Sequence, residues 1–238
     1  MFQPKIQCHD RRINGFEVLL RWTHPQRGNI TPDRFIPAAE RFGLINRLTQ
    51  RVFDLGFGWF AANFRGSRLR LSVNISAKTV MDEAFVESIT DRCARLGLAP
   101  EQIICELTET SAMEDPVASL GSLTRLRMKG VHLSIDDLGT GFSSLLQLVR
   151  LPFSELKVDK SFVISASRSS ESRQVIKAIV GLGQSLDMQT TAEGVEDAQT
   201  LRFLEEIGCN LAQGFFIARP MKGDEALRWV ADYQGPGV

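Results

Sequence analysis

Short runs of apolar and β-branched residues alternate with longer amphipathic stretches along most of this chain. The runs that predict strands lie at 71–76, 103–108, 132–136, 155–159, 188–192 and 212–217. The stretches with helical periodicity lie at 84–96, 116–129, 143–150, 171–186, 197–207 and 223–232. A strand that is followed by a helix and then by another strand is typical of a crossover unit, in which the two strands pair in parallel. Most of the chain therefore predicts a parallel sheet surrounded by helices.

Residues that start and stop helices stand at the boundaries of these stretches. Asp115 followed by Pro116 predicts an N-cap with proline in the first helical position, and Ser170 precedes another helical pattern. Glycines, which suit the left-handed backbone of a helix end, stand near three predicted C-termini: Gly97, Gly130 and Gly208.

The first 64 residues have a different pattern. Residues 2–7 and 13–22 predict two strands joined by a short polar turn at 9–12, and so short a connection requires antiparallel pairing. Residues 33–64 predict a pair of helices with Asp33 as an N-cap. The whole pattern predicts an α/β fold, a TIM-type (β/α)8 barrel whose first strand is antiparallel. No linker interrupts the chain, so we expect one domain over 1–238 that opens with the strand pair of 1–22 and ends in a frayed tail at 233–238.

The composition is typical of a soluble globular protein and excludes some classes of function. Hydrophobic residues make up 43% of the chain, charged residues 24%, and 28 basic residues balance 28 acidic ones. Zero net charge argues against binding of a nucleic-acid polymer, which needs a basic face. No apolar run approaches the roughly 20 residues that span a bilayer, and the N-terminus does not resemble a signal peptide. We therefore expect a cytoplasmic location without membrane contact.

Cysteine and histidine are not the residues that predict chemistry here. The four cysteines are far apart and form no CxxC pair, which argues against zinc ligation and a disulfide framework. Cys93, Cys105 and Cys209 stand in apolar patterns, so we expect reduced, buried thiols. The three histidines predict structural or exposed roles, because His9 falls in a turn, His24 beside a proline and His132 at the start of a strand.

Acidic residues stand where predicted strands end. The set is Glu17, Glu106, Asp136, Asp137 and Glu193, together with Asn74, and Lys157 lies within the strand 155–159. The carboxyl ends of parallel strands meet at one face of a barrel, so these side chains should converge on one site. Carboxylate and amide oxygens favour Mg²⁺ or Mn²⁺ over zinc. The sequence thus predicts an oxygen-lined cation site at the barrel mouth.

Each of these residues alone has a simpler interpretation. A single acid at a strand end is more often a solvated loop residue, the Asp136-Asp137 pair could begin a turn before Gly139, and Lys157 could lie on the surface. Together, however, five acids at one mouth would repel strongly unless cations neutralised them. Adjacent aspartates also suit a two-cation site, in which Asp136 bridges and Asp137 completes the second position. The residue types therefore predict hydrolysis of a phosphoester.

Nine motifs resemble, in order, those of the EAL-domain cyclic di-GMP phosphodiesterases of bacterial signalling. They are QPK (3–5), EVLLRW (17–22), FIPAAE (35–40), VNIS (73–76), ELTET (106–110), DDLGTGFSSL (136–145), LKVDKSFV (156–163), AEGVE (192–196) and QGFFIARPM (213–221). The resemblance covers nearly the whole chain. It implies metal-dependent opening of cyclic di-GMP to linear pGpG, which lowers a second messenger that governs biofilm formation.

The resemblance also implies roles for individual residues. The first metal would be bound by Glu17, Asn74, Glu106 and Asp136, and the second by Asp136, Asp137 and Glu193. Lys157 would hold or help to activate the attacking water, and Glu193 would share in proton handling. Arg21 would contact a substrate phosphate, and the substrate-side or supporting groups would be Gln3, Glu196 and Gln213. Glu109 would anchor the loop after Asp137, whose glycines Gly139 and Gly141 permit sharp turns.

The same resemblance implies two ions of Mg²⁺ or Mn²⁺, inhibition by Ca²⁺, and a homodimer that uses the loop. Three residues depart from the family pattern: Val18 replaces alanine, Leu138 replaces phenylalanine and Phe142 replaces tyrosine. These changes leave every implied ligand intact but affect the packing of the loop. The helix that usually precedes the first strand is missing, so we expect a fragment of a longer regulatory protein.

Two other functions compete with the hydrolase. A catalytically silent EAL module would bind cyclic di-GMP as a receptor, but such modules lose metal ligands or the loop, and this sequence retains both. An unrelated barrel metallohydrolase that acts on sugars or amides would require the whole series of motifs to be coincidental. Incubation with cyclic di-GMP and Mg²⁺, followed by chromatography for pGpG, separates the three.

Overall fold

A closed eight-stranded barrel forms the centre of the computed structural model, which describes residues 1–139 and 145–234. The ten strands, in chain order, are β1 Phe2–Gln7, β2 Ile13–Val18, β3 Trp22–His24, β4 Gly28–Ile30, β5 Arg70–Asn74, β6 Ile103–Thr108, β7 His132–Leu138, β8 Glu155–Val158, β9 Gln189–Ala192 and β10 Leu211–Ala212. The order around the barrel is β1-β10-β9-β8-β7-β6-β5-β2, and β2 closes onto β1. Only β3 and β4 stand apart from it among the described strands, as a separate antiparallel ribbon.

The first strand runs against the others. β1 pairs antiparallel with both β2 and β10, whereas the remaining neighbours around the barrel pair in parallel. The predicted fold class, including its reversed first strand, is confirmed. Because seven strands point the same way, their carboxyl ends meet at one mouth.

Helices surround the barrel. Their bounds are α1 Pro32–Arg41, α2 Ile45–Phe64, α3 Ala77–Val80, α4 Glu83–Leu96, α5 Glu109–Glu114, α6 Pro116–Met128, α7 Leu145–Arg150, α8 Lys160–Ser165, α9 Ser170–Ser185, α10 Ala198–Glu206 and α11 Gly223–Asp232. The predicted helical pair over 33–64 is confirmed as α1 and α2, and α4, α6, α9, α10 and α11 lie within one residue of their predicted bounds. Residues 143 and 144 of the predicted helix 143–150, and residues 235–238 of the predicted tail, lie outside the described residues.

Three short helices were missed, and each of them follows the end of a barrel strand. α3, α5 and α8 contain four to six residues, too few to show a period of 3.6. Each begins at a polar N-cap that accepts a backbone N–H: Ser76 from Thr79, Thr108 from Ser111 and Asp159 from Ser161. These caps fix the chain where it leaves the mouth.

Two predicted strands were too long by four residues or more. The strand predicted at 212–217 ends at Ala212, because the chain then turns and the N–H groups of Ile217 and Ala218 donate to the carbonyl of Gly214. A Cβ at Gly214 would lie 2.2 Å from the backbone nitrogen of Val195, so only glycine permits this close approach. The strand predicted at 13–22 ends at Val18.

Helix caps were predicted with mixed success. Asp115 caps α6 by accepting from the N–H of Ala118, as predicted. The predicted cap Asp33 was wrong, since Thr31 is the N-cap of α1 and Asp33 lies in its first turn. Ser169, one residue before Ser170, caps α9. Thr31 makes no side-chain capping hydrogen bond, so the path of the chain and not the quality of the cap sets the start of α1.

The core lies between the barrel and its helices. α2 contributes three fully buried phenylalanines, Phe53, Phe57 and Phe60, and the rings of Phe53 and Phe57 stack at 4.9 Å. The predicted burial of the cysteines is confirmed, and Cys8 is buried as well, with all four thiols free. Within the described residues no helix is long and apolar enough to cross a membrane.

His132 begins β7 on the side of the barrel opposite the mouth, as the sequence predicts. Its Nδ1 lies 3.2 Å from Nη1 of Arg127 and 3.4 Å from Oγ of Ser154. Burial, reinforced by the positive charges of Arg70 and Arg127, lowers the pKa of His132 to about 4. The imidazole is therefore neutral in the folded protein at pH values where it would be charged in the unfolded chain.

This shift predicts that acid destabilises the fold through His132. Its folded pKa lies below the unfolded value of about 6.5, so its contribution to stability is complete above that value and is lost as the pH falls towards 4. We expect the melting temperature of the wild-type protein to fall more between pH 7 and pH 5 than that of His132→Gln, which has no proton to gain. Parallel falls in the two proteins would contradict this assignment.

Candidate active site

The acids at the strand ends converge on the mouth of the barrel. Cross-strand register brings them together, with Asn74 opposite Glu106 and Thr108 opposite Asp136. A cleft of about 600 Å³ opens above them. It is lined by Glu17, Asn74, Asp136, Asp137 and Glu193, and one wall is made of apolar residues of α1 and α2 that include Ile36, Leu48 and Val52.

Lys157 lies fully buried at the centre of this cluster. Its Nζ is 2.5 Å from Oε1 of Glu193, 2.8 Å from Oε2 of Glu106, 3.2 Å from Oδ2 of Asp136 and 3.8 Å from Oε1 of Glu17. Burial opposes its charge, but the carboxylates, with Asp136 the strongest, outweigh burial and raise the pKa of Lys157 well above its usual range. The ammonium is therefore the positive charge that compensates the four carboxylates.

One ammonium does not compensate all of these acids. Burial is the main cause that raises the pKa of Glu17 to about 7, and it raises the pKa of Glu193 well above its usual range. Burial, with the charges of Asp136 and Asp159, raises the pKa of Asp137 to about 6. Glu106 differs because Lys157 and Lys5 outweigh its burial and hold its pKa at about 2. Further positive charge at the mouth would allow the other acids to ionise.

A bulge turns two consecutive aspartates towards the cleft. Successive side chains of a regular strand point to opposite faces, yet Asp136 and Asp137 both line the cleft. The register between β7 and β8 shifts between Ile135 and Leu138, and Asp137 has a left-handed φ of 57°. Its N–H donates to Oδ1 of Asp136 at 2.9 Å. A bulge of this kind redirects a side chain at the end of a strand.

Glu109 holds the chain just after this bulge. It is buried at the start of α5, and its Oε2 accepts the N–H of Gly139 at 3.1 Å. Gly139 has φ of 102°, a left-handed conformation that favours glycine. Gly141 and Phe142 lie outside the described residues. The hydrogen bond couples α5 directly to the segment that carries Asp137.

Two glutamines form a buried chain on the β1 side of the mouth. Nε2 of Gln213 donates to Oε2 of Glu17 at 2.7 Å and to Oε1 of Gln3 at 3.0 Å, and Nε2 of Gln3 donates to the carbonyl of Ala218 at 3.1 Å. Nδ2 of Asn74 donates to Oε1 of Glu17 at 2.8 Å. Both oxygens of Glu17 are therefore fixed by amide donors.

The remaining candidates lie at the rim. Arg21 and Glu196 are exposed and line the cleft, and Nη1 of Arg21 donates to the neighbouring carbonyl of Leu20. They are brought to the same cleft as the acids but not into the buried cluster. Their positions suit contact with a ligand in the cleft.

Two charged residues of the barrel interior were missed as candidates. Lys5 and Glu155 are buried below the acids, each two residues from an inward-facing candidate on the same strand, Gln3 on β1 and Lys157 on β8. The signal was available, because alternate strand residues share a face. A charged residue two positions from an inward-facing residue on the same strand should also face the barrel interior.

The donor set fits a hard divalent cation. The donors are oxygen atoms of carboxylates and one amide, which Mg²⁺ and Mn²⁺ prefer. Among the described residues, no three acid, cysteine or histidine side chains stand ready around a common point for a metal ion. Four carboxylates converge instead on the Lys157 ammonium, so a cation would be held by the oxygens that this ammonium now contacts.

Comparison with known proteins agrees with this geometry. The family model described as "EAL domain" matches residues 1–220. The chain is 41% identical over 232 residues to the bifunctional diguanylate cyclase/cyclic di-GMP phosphodiesterase MucR of Pseudomonas aeruginosa, a match that covers 97% of this chain and 34% of MucR. The most similar curated relatives are longer proteins, and the chain spans between 28% and 56% of their length.

Solved structures are similar over almost the whole chain. The PaMucR phosphodiesterase, solved as a c-di-GMP complex, has a TM-score of 0.89 at 41% identity and covers 94% of this chain and 92% of its own. BlrP1 of Klebsiella pneumoniae, solved as a calcium/cyclic di-GMP complex, has a TM-score of 0.82 at 26% identity and covers 93% of this chain and 55% of its own. Both similarities span the barrel and the cleft above it.

The charge arrangement predicts opposite effects of two substitutions on the protein kept in EDTA. Lys157→Met leaves buried carboxylates without their counter-ion, and we expect the free energy of unfolding to fall by about 3–5 kcal/mol. Glu17→Gln removes a charge that burial disfavours, and the Asn74 amide can turn to accept from the new amide, so we expect stability to hold or rise. Urea denaturation measures both. A Lys157→Met protein as stable as wild type would show that the cluster does not depend on the ammonium.

Proposed function

Because this chain belongs to the EAL domain family, we propose that it hydrolyses one phosphodiester bond of cyclic di-GMP to give linear pGpG, with two divalent cations. The observation that carries the proposal is the convergence of four carboxylates on the Lys157 ammonium at the barrel mouth. The names of its relatives supply the substrate: MucR is called a cyclic di-GMP phosphodiesterase, and the PaMucR structure contains c-di-GMP.

The residues at the mouth divide into two groups of cation ligands. We propose that the first cation is held by Glu17, Asn74, Glu106 and Asp136, and the second by Asp136, Asp137 and Glu193. Bound there, Mg²⁺ or Mn²⁺ would stabilise negative charge on the phosphoryl group and lower the pKa of a water molecule. The bulge in β7 is what allows Asp136 and Asp137 to serve neighbouring positions, since both line the cleft.

Lys157 and Glu193 are suited to handle the nucleophilic water. Their contact of 2.5 Å places an ammonium and a carboxylate side by side. We propose that Lys157 orients the water and that Glu193, which cations at the mouth would keep ionised, accepts the proton. The water oxygen then bonds to phosphorus, the bond to the 3′ oxygen breaks, and that oxygen takes a proton from solvent and leaves as a hydroxyl. The product keeps a 5′ phosphate, as pGpG requires.

The rim and the cleft walls are suited to hold the substrate. Arg21 is exposed at the cleft, where its forked guanidinium would bind a phosphate. Gln3, Gln213 and Glu196 supply polar groups on the substrate side, and Oε1 of Gln213 is buried without a hydrogen-bond partner among the described residues. The apolar wall of α1 and α2 offers a surface for a purine base.

We propose a cytoplasmic homodimer as the working form. Val117 and Met128 on α6 are 86% and 83% exposed, and such apolar side chains on one helix are suited to pack against a second copy. The second messenger would be drawn from the bacterial cytoplasm. Sedimentation of the purified chain tests the dimer.

The proposed activity is tested by incubating the chain with cyclic di-GMP and separating the products by chromatography. We expect pGpG with Mg²⁺ or Mn²⁺, no product in excess EDTA, and inhibition by Ca²⁺, whose longer bonds and looser geometry misplace the water. Asp136→Asn should lose turnover, because it removes the charge of the bridging ligand. Tight binding of cyclic di-GMP without pGpG would identify a receptor, and full activity in EDTA would rule out the metal-dependent reaction.

The anchor of the β7 loop predicts a metal-dependent defect. Glu109→Ala removes the acceptor of the Gly139 N–H, which should free the segment that carries Asp137 and weaken the second cation site. We expect turnover to fall substantially at low Mg²⁺ and to recover in part at high Mg²⁺ by mass action. Glu206→Ala, an exposed acid on α10, is the matched control. Wild-type turnover by Glu109→Ala at low Mg²⁺ would show that the loop does not need this anchor.

A further inference from the structure

A second buried lysine lies directly below the acid cluster. Lys5 on β1 is fully buried, and its Nζ donates to Oγ of Ser72. The same Nζ lies 3.3 Å from Oε1 of Glu106 and 3.6 Å from Oε1 of Glu155. A buried ammonium is costly unless it is paired and hydrogen-bonded, and here Ser72, Glu106 and Glu155 supply oxygen partners. Lys5 does not line the cleft, so its partner is the cluster and not a ligand in the cleft.

Glu106 is held between two lysines, one on each oxygen. Oε1 contacts Lys5, and Oε2 accepts from Lys157 at 2.8 Å. Ser72, which accepts from Lys5, also hydrogen-bonds to the Glu106 carboxylate. A carboxylate that is fixed at one oxygen can rotate little, so Oε2 of Glu106 is kept on the side of Lys157.

Lys5 is itself fixed from the opposite side of the barrel. Glu155 on β8 is buried and accepts the hydroxyl of Thr191 on β9 at 2.5 Å through the same Oε1 that contacts Lys5. The interior therefore has a lower polar layer, formed by Lys5, Ser72, Glu155 and Thr191. This layer supports the acids from below while the mouth above them remains open.

We propose that Lys5 is a positioning residue for the cation site: by holding Oε1 of Glu106 it presents Oε2 to a divalent cation, and Glu155 with Thr191 fixes Lys5 in place. The proposal rests on the metal dependence proposed above. It differs from a simple balance of charge in the interior, because a neutral replacement of the Lys5–Glu155 pair conserves net charge but releases Glu106. Side chains that orient a metal ligand in this way typically account for a 10- to 100-fold difference in metal affinity.

The test is a double variant, Lys5→Met/Glu155→Gln, which removes both charges and leaves no unpaired ion. Its matched control is Lys129→Met/Glu87→Gln, which removes a partly exposed pair between Glu87 on α4 and Lys129 at the end of α6. The dissociation constant for Mn²⁺ is measured by titration calorimetry, and the melting temperature in EDTA monitors the fold. We expect the Mn²⁺ dissociation constant to rise roughly tenfold or more in the double variant and to stay at the wild-type value in the control.

The outcomes separate this inference from the proposed function. If wild type binds Mn²⁺ and the folded double variant binds it equally well, Lys5 only balances charge and the positioning role is overturned. If wild type binds no Mn²⁺, the metal-dependent function itself fails, and the inference fails with it. Should the double variant not fold, Ser72→Ala removes one hydroxyl that accepts from Lys5. It should raise the dissociation constant in the same direction by a smaller factor, and an unchanged value would overturn the role.

Discussion

The rest of this barrel depends on the compensation of charge around Lys157. Four carboxylates reach one fully buried ammonium, and a buried charge without partners would be severely destabilising. The strands therefore have to place their inward acids within a few ångströms of one nitrogen. The convergence of carboxylates that compensates the buried charge of Lys157 also brings together oxygen atoms that could bind a cation. One electrostatic requirement thus links the stability of the fold with the proposed chemistry.

Charges in the barrel interior are compensated in two layers, one at the mouth and one below it. Each strand sends alternate residues inward, so a residue at the mouth has a companion two positions below it, as Gln3 has Lys5 and Lys157 has Glu155. Below the mouth, Lys5 and Glu155 compensate each other. At the mouth the acids outnumber the lysine, and burial, reinforced by the charges of neighbouring acids, raises the pKa values of Glu17, Asp137 and Glu193. The excess of acid is confined to the open end of the barrel.

The parallel strands bring the side chains to the barrel mouth, and local features of the backbone adjust their positions there. The bulge in β7 and the positive φ of Asp137 bring two consecutive aspartates to one cleft, which a regular strand would direct to opposite faces. Glu109 ties the next turn to α5 through Gly139. The glycine at 214 lets the chain after β10 pack onto the backbone of Val195, beside the glutamine that bonds to Glu17. Backbone geometry thus helps to set the positions of these side chains.

The sequence by itself determined the class of fold and identified the acids that meet at the barrel mouth. Periodicity identified the strands and the long helices, because each has enough residues to show its repeat, and the short turn before residue 13 required a reversed first strand. The acids at strand ends were recognisable because parallel strands end together.

Only the tertiary structure decided how those residues meet. The short helices α3, α5 and α8 have no period to read, and the end of β10 depends on a backbone contact between residues 214 and 195. The burial of Lys157 and Lys5, the order of their contacts and the partner of each Glu106 oxygen depend on distances between strands that are far apart in the chain. A pattern along one chain records which face a residue occupies, but the distance across the barrel arises only when all eight strands close.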